Sequence, residues 1–254
     1  MLRQCLITLA AIVAAIFSGP HAPMRAAADQ LPGVPRVMVW AWERSEDLRG
    51  LDPRIGVAYL AATYQWRGEH LQRLPRRQPL KVDDQTPLVA VVRLETDKRH
   101  IPDFNVDTRQ RLAREIAALR QRPGVRAVQI DFDATVSERT FYRDLLVDTR
   151  AALGAFPLSM TALASWCMDD HWIDELPVDE AVPMLFRLGP VNVPFVRAGA
   201  AGTMRASLCA GAVGVSTDEP TPALRGGRRA YVFHPRSWTL EAVRDAAKEV
   251  TRWQ

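Results

Sequence analysis

PLVAVVRLE (87–95), DTRQRLAREIAALRQR (107–122) and VRAVQIDFDA (125–134) follow one another as an apolar run, an amphipathic run and a second apolar run. Apolar runs rich in β-branched residues and without polar alternation read as strands covered on both faces, as in parallel sheet. Between them Leu112, Ile116 and Leu119 recur at helical spacing among charged residues, and Gly124 closes the helix before Val125 opens the next strand. Strand, crossover helix and strand in this order predict a parallel βαβ unit.

The alternation continues in both directions. Upstream, Arg36–Trp42 and Ile55–Trp66 read as strands, and 67–82 as a hairpin excursion marked by Gly68 and Pro75. Downstream, Ser137-Glu138 opens a helix over 139–153 that Gly154 stops. Further strands are expected at 156–164, 181–188, 210–217 and 229–233, and Thr239 caps a final helix running through Trp253. Eight strands alternating with helices predict an α/β fold, a single-domain (β/α)8 TIM-type barrel. It should be somewhat degenerate, because connections such as 47–54 and 169–177 are too short or broken for full helices. An open doubly wound sheet is the alternative, weakened because no Gly-rich phosphate loop follows the first strand.

The fourth strand ends by placing Asp131 and Asp133 on one face, with Val128, Ile130 and Phe132 on the other. Buried strands put acids on a face only where partners or chemistry require them. The other strand ends add Trp40, Trp42 and Glu43, then Arg93 and Glu95, Trp166, Arg187, Asp218 with Glu219, and His234. The strand starts show no such clustering of acids. A barrel carries its site at the C-terminal ends of its strands. Acids and tryptophans around one mouth suit a sugar, since rings stack on pyranose faces and paired carboxylates act on a glycosidic bond. Two plainer readings stand beside this: the acids as structural ion pairs with nearby arginines, and the tryptophans as core.

Residues 1–28 read as an export signal: Arg3, an apolar run over 6–17, and Ala26-Ala27-Ala28 as a small-residue cleavage site. The run is shorter than the roughly 20 residues of a membrane span, so no stable span is expected after cleavage, with a retained anchor as the lesser alternative. Cys5 precedes the apolar run and makes a poor lipid-attachment site. The barrel domain is then 29–254, and the protein periplasmic or extracellular. Losing Arg3 and Arg25 takes the net charge from +4 to about +2, which makes no case for nucleic-acid binding. Cys167 and Cys209 remain, either as one disulfide or as two free buried thiols. His70, His100, His171 and His234 form no HExxH arrangement, no P-loop occurs, and Gly214-Val215-Ser216-Thr217-Asp218 lacks the second glycine of a nucleophile elbow. No cofactor is expected; a divalent cation on the acids is a third reading, without any loop pattern to support it.

The segments VWAWERSEDLR (39–49), GVAYLAAT (56–63), PLVAVVRLE (87–95), VQIDFDATVSER (128–139), PLSMTALASWC (157–167), VDEAVPMLFRLG (178–189), GVSTDEP (214–220) and RRAYVFHP (228–235) resemble a secreted bacterial family of unknown function, domain of unknown function 3142. The resemblance runs from about Val37 to Trp238 and implies a barrel-like fold and export, with no established activity. More distantly, the fourth and sixth strands resemble those of chitinase-like family-eighteen glycoside hydrolases. Asp131 and Asp133 match that family's alternating aspartates, and Met184 and Phe186 resemble its sixth-strand Met and Tyr. Thr135 stands at the proton-donor position and Arg187 at the sixth-strand aspartate, so the substrate-assisted mechanism does not carry over.

Two functional readings follow. In the first, the barrel binds and hydrolyses a carbohydrate: Glu95 and Asp133 act as acid and base, Asp131 orients Asp133, and Arg93 and Arg187 balance the cluster. Trp42 and Trp166 hold the sugar, Met184 lines the site, and Glu43 or Glu219 is the substitute for Glu95. In the second, the same scaffold is a non-catalytic glycan-binding or cell-envelope protein.

Overall fold

The structure is a computed structural model and describes residues 31–252 apart from 98, 190–192, 202 and 221–225. The expected export signal and Trp253 lie outside the described residues. Eight parallel strands close into a barrel: β1 (Val37–Ala41), β3 (Ile55–Arg67), β6 (Leu88–Thr96), β7 (Val125–Asp131), β8 (Leu158–Leu163), β9 (Glu180–Met184), β10 (Ala212–Ser216) and β11 (Arg229–Phe233). Closure comes where β1 pairs with both β11 and β3. The (β/α)8 expectation holds, and so does its degeneracy. Between β1 and β3 the chain makes only the short strand β2 (Glu46–Asp47), paired with β5 (Leu80–Lys81).

β3 is where the barrel departs most from regularity. Its lower half pairs with β1, and a register shift between Leu60 and Ala62 follows in its pairing with β6. Its upper half pairs antiparallel with β4 (His70–Pro75). Arg76, just past β4, donates to the carbonyls of Ala41 (3.1 Å), Trp42 and Arg44, and pairs with the buried Glu46 at 3.4 Å. The excursion thereby pins the end of β1, which carries Trp42.

Helices cover the side expected from the sequence. α1 (Val106–Ala118) is capped by Asn105, whose side chain accepts from the Thr108 N–H at 2.8 Å, and buries Leu112, Ala113, Ile116 and Ala117. α2 (Arg139–Leu153) buries Phe141, Tyr142, Leu145 and Leu146 and ends at Gly154, whose φ of 61° suits glycine. Arg109 of α1 bridges to Asp144 and Asp148 of α2, each at 2.8 Å. α3 (Ala164–Met168), α4 (Val193–Ala201) and α5 (Leu240–Arg252) complete the set. No helix among the described residues is long and apolar enough to cross a membrane.

Two apolar layers result. Val128, Ile130 and Phe132 face outward toward the helices, while Met38, Trp40, Val89, Val91, Ala127, Val182 and Tyr231 fill the barrel interior. A Cβ on Gly214 would stand 2.6 Å from the Met184 sulfur, so only glycine lets Met184 lie across the interior. At the strand starts Leu31 and Val34 plug the barrel. Glu180 and Arg229 form a wholly buried ion pair there, with Tyr231 donating to Glu180 at 2.9 Å and Ser159 at 3.2 Å. The sequence shows no acid cluster at that end because Glu180 reads as the residue before its strand; the structure makes it the first residue of β9.

Candidate functional site

At the opposite end the strands open into a cavity of about 560 Å³, lined by Trp40, Trp42, Arg93, Glu95, Asp131, Asp133, Leu163, Met184, Phe186, Arg187, Leu188 and Phe233. Strand alternation puts them there: Trp40 and Trp42 follow Met38 on one face of β1, Arg93 and Glu95 follow Val91 on β6, and Phe233 follows Tyr231 on β11. Six of the sequence candidates (Trp42, Arg93, Glu95, Asp131, Asp133 and Arg187) meet at this mouth, and Met184 joins them.

One wall is acidic. Arg93 holds two of its three carboxylates, reaching Asp131 with Nη1 at 2.8 Å and Glu95 with Nε at 2.9 Å. Asp131 is buried and also accepts from Thr161 Oγ1 at 2.8 Å; Glu95, about two-fifths exposed, accepts from Gln65 at 3.1 Å. Asp133 makes no hydrogen bond or ion pair among the described residues. Its carboxylate surface meets solvent, yet the walls crowd it. Desolvation and then the neighbouring Asp131 charge hold it above the ordinary aspartate range, against the pull of Arg93.

The facing wall is aromatic. Trp40 lies 6.2 Å from Trp42, Trp42 lies 6.4 Å from Phe233, and Phe186 stacks on Phe233 at 5.5 Å. The Arg93 guanidinium sits 5.6 Å from the Trp42 ring centre, so this arginine links the two walls. Arg187 closes the rim with φ at 58°, a left-handed conformation that costs a non-glycine residue about 1 kcal/mol or more. Glu219 accepts from the Arg187 backbone N–H at 3.0 Å, and Asp218 takes its guanidinium at 2.6 Å. Asp218 and Glu219 thus act on the site through Arg187 and do not line the cavity.

Three residues of the expected rim sit elsewhere. Trp166 is 2 % exposed and packs edge-on to Trp172 at 4.8 Å in the outer layer. The reason is local: β8 ends at Leu163 and α3 begins at Ala164, so Trp166 rides a helix into the core and Leu163 takes the rim. Glu43 accepts from the Arg77 and Gln78 backbone N–H groups at 2.8 and 2.9 Å, fastening the excursion. His234 bonds to Thr217 at 2.6 Å outside the cavity lining. Conversely, Phe233, Leu163 and Leu188 line the mouth without having been expected there, and Trp40, which the sequence leaves open between core and ligand contact, both lines it and packs in the barrel interior.

Thr135, which the resemblance drawn from the sequence sets at a proton-donor position, is engaged in a local hydrogen-bond turn. Its hydroxyl donates to Glu138 at 2.7 Å and its N–H donates to the same carboxylate, a capping box that starts the turn before α2. Thr96 at the end of β6 also donates to Glu138. Glu138→Ala would strand these donors beside a buried site and is expected to cost about 2 kcal/mol in denaturant unfolding. A cost below about 0.5 kcal/mol, the usual range for surface substitutions, would show that the capping box does not hold the rim.

Among the described residues no group of three His, Cys, Asp or Glu side chains is arranged to hold a metal ion. The arrangement can stack a flat apolar face, offer one unneutralised carboxylate, and present ion-paired arginines to hydroxyl or carbonyl groups. No protein-family model matches the chain, and no curated protein matches it.

Proposed function

We propose that the protein is an exported, glycoside-hydrolase-like barrel that binds a carbohydrate at the open end of its strands. One observation carries this reading: an aromatic wall of Trp42, Phe186 and Phe233 faces an acid wall across a cavity of sugar size. Pyranose rings have apolar faces and hydroxyl edges, and such a cup serves both at once. The motif similarity to secreted bacterial proteins and, at Asp131 and Asp133, to chitinase-like barrels adds to it. Isothermal titration of the chain against a panel of bacterial polysaccharide and peptidoglycan fragments tests binding. Trp42→Ala is expected to weaken a hit by about tenfold or more, and unchanged affinity would remove the mouth from consideration.

Hydrolysis is the stronger form of the same proposal, and Asp133 is its centre. A carboxyl held above its usual range and facing a cavity suits a general acid, with Glu95 as the second carboxylate. Asp133→Asn and Glu95→Gln are each expected to lower turnover at saturating substrate by about a hundredfold or more, with little change in Tm. Variants that unfold while the remaining folded fraction binds normally would make these acids structural. The non-catalytic reading is favoured by a different observation, the engagement of Thr135 in the capping box. Binding that depends on Trp42, with no turnover of any fragment by the unaltered protein, is its expected signature.

A further inference from the structure

The mouth is unbalanced in charge. Arg93 is divided between Glu95 and Asp131, and Arg187 between Asp218 at 2.6 Å and Glu219 at 3.4 Å. Asp133 is left over, and the groups that line or hold the cavity carry a surplus of negative charge although the chain as a whole is basic. This surplus lies opposite ring faces, whose quadrupoles also favour a cation. Arg93 already uses the Trp42 face in that way.

The shape of the demand is therefore one cation beside an aromatic surface. A hydrated dication fits poorly, because it needs several oxygen ligands and two of the three wall acids are already bound to Arg93. Building on the carbohydrate reading, we infer that the ligand is an amino sugar with a free ammonium group. Its ammonium sits against Asp133 and its ring lies along Trp42 and Phe233. An N-acetylated sugar would place a neutral amide beside Asp133 and forgo the charge pairing.

Isothermal titration of the full chain with a glucosamine tetrasaccharide, its N-acetylated counterpart and choline tests this. The free-amine oligosaccharide is expected to bind about tenfold or more tighter than the acetylated one, a difference typical of one charge-assisted contact. Asp133→Asn should abolish that preference, whereas Glu95→Gln, whose carboxylate already belongs to Arg93, should keep most of it. Asp133 is exposed and unbonded, so melting of its Asn variant at the wild-type temperature verifies the fold. Equal binding of both oligosaccharides, or an unaltered preference in Asp133→Asn, overturns the ammonium inference and leaves the carbohydrate reading intact. Binding of choline alone overturns both, since it shows cation recognition without a sugar. Binding of none of the three overturns the amino-sugar assignment, and the polysaccharide panel then decides the wider reading.

Discussion

Arg229→Ala is expected to destabilise the protein by about 3–5 kcal/mol, the range for removing one partner of a buried ion pair, and to lower Tm by roughly 10 °C. Arg229 and Glu180 are 2 % and 0 % exposed, and their charges meet inside the barrel, far from water. Arg229 also donates to the carbonyls of Pro35 (3.1 Å), Val34 (3.3 Å) and Leu31 (3.5 Å), so it holds the plug that closes the lower end. Desolvation pushes the Glu180 carboxyl above the ordinary glutamate range, while Arg229, Tyr231 and Ser159 pull it down. Removing Arg229 deletes the first of these opposing influences and drives Glu180 further up. A native acid with a raised pKa favours the fold most when protonated: its contribution is complete below the unfolded glutamate pKa and is lost as pH rises through the native one. The deficit of Arg229→Ala should therefore shrink at acid pH and grow toward neutrality. Replacing both partners by hydrocarbon, as in Glu180→Leu with Arg229→Met, should recover most of the loss. Thermal melts of the single and double variants from acid to neutral pH decide it, and a single variant that melts with the wild type at neutral pH would sink the claim.

That ion pair also marks the limit of what the sequence reveals. The eight strands were legible because each, covered on both faces, is a short apolar run that helices or turns interrupt. The rim was legible for the same reason: Arg93, Glu95, Asp131 and Asp133 break the apolar pattern on one face of two neighbouring strands, and β6 pairs with β7 so that Arg93 stands beside Asp131. Boundaries carried the errors. Starting the sixth strand one residue late hid Glu180, and carrying the fifth past Leu163 put Trp166 at a strand end when it is the third residue of α3. Trp166 is apolar and follows Ala-Ser, so nothing local separates a rim tryptophan from a core one. The fastening of the excursion to the end of β1 depends on Arg76 reaching the carbonyls of Ala41 and Trp42, a long-range contact that no periodicity records. The division of Arg93 between Glu95 and Asp131 is likewise tertiary, and it changes the chemistry: three apparent acids become one unpaired acid.

Reduction of the disulfide is expected to cost about 4 kcal/mol, from the chain entropy returned to the unfolded state by opening a loop of this length, and to lower Tm by roughly 10 °C. Cys167 at the end of α3 is bonded to Cys209 just before β10, which resolves the alternative of free thiols in favour of pairing. The sequence separation is 42 residues, and the enclosed segment holds β9, α4 and the rim residues Met184, Phe186 and Arg187. The same segment is tied back through the Cys167 carbonyl, which accepts from the Arg205 and Ala206 N–H groups. Stability and the mouth should therefore fail together. A reduced protein, or Cys167→Ala with Cys209→Ala, should lose ligand affinity at temperatures where the oxidised barrel still binds, because Met184, Phe186 and Arg187 of the rim hang on the freed loop. Both cysteines are buried, at 1 % and 0 % exposure, so thiol labelling should require reductant and heat together. Melts with and without dithiothreitol, alongside titration of a bound fragment, separate the outcomes. Labelling of two thiols in the untreated native protein would refute the pairing, and identical melts after verified reduction would show that the loop is held by packing alone.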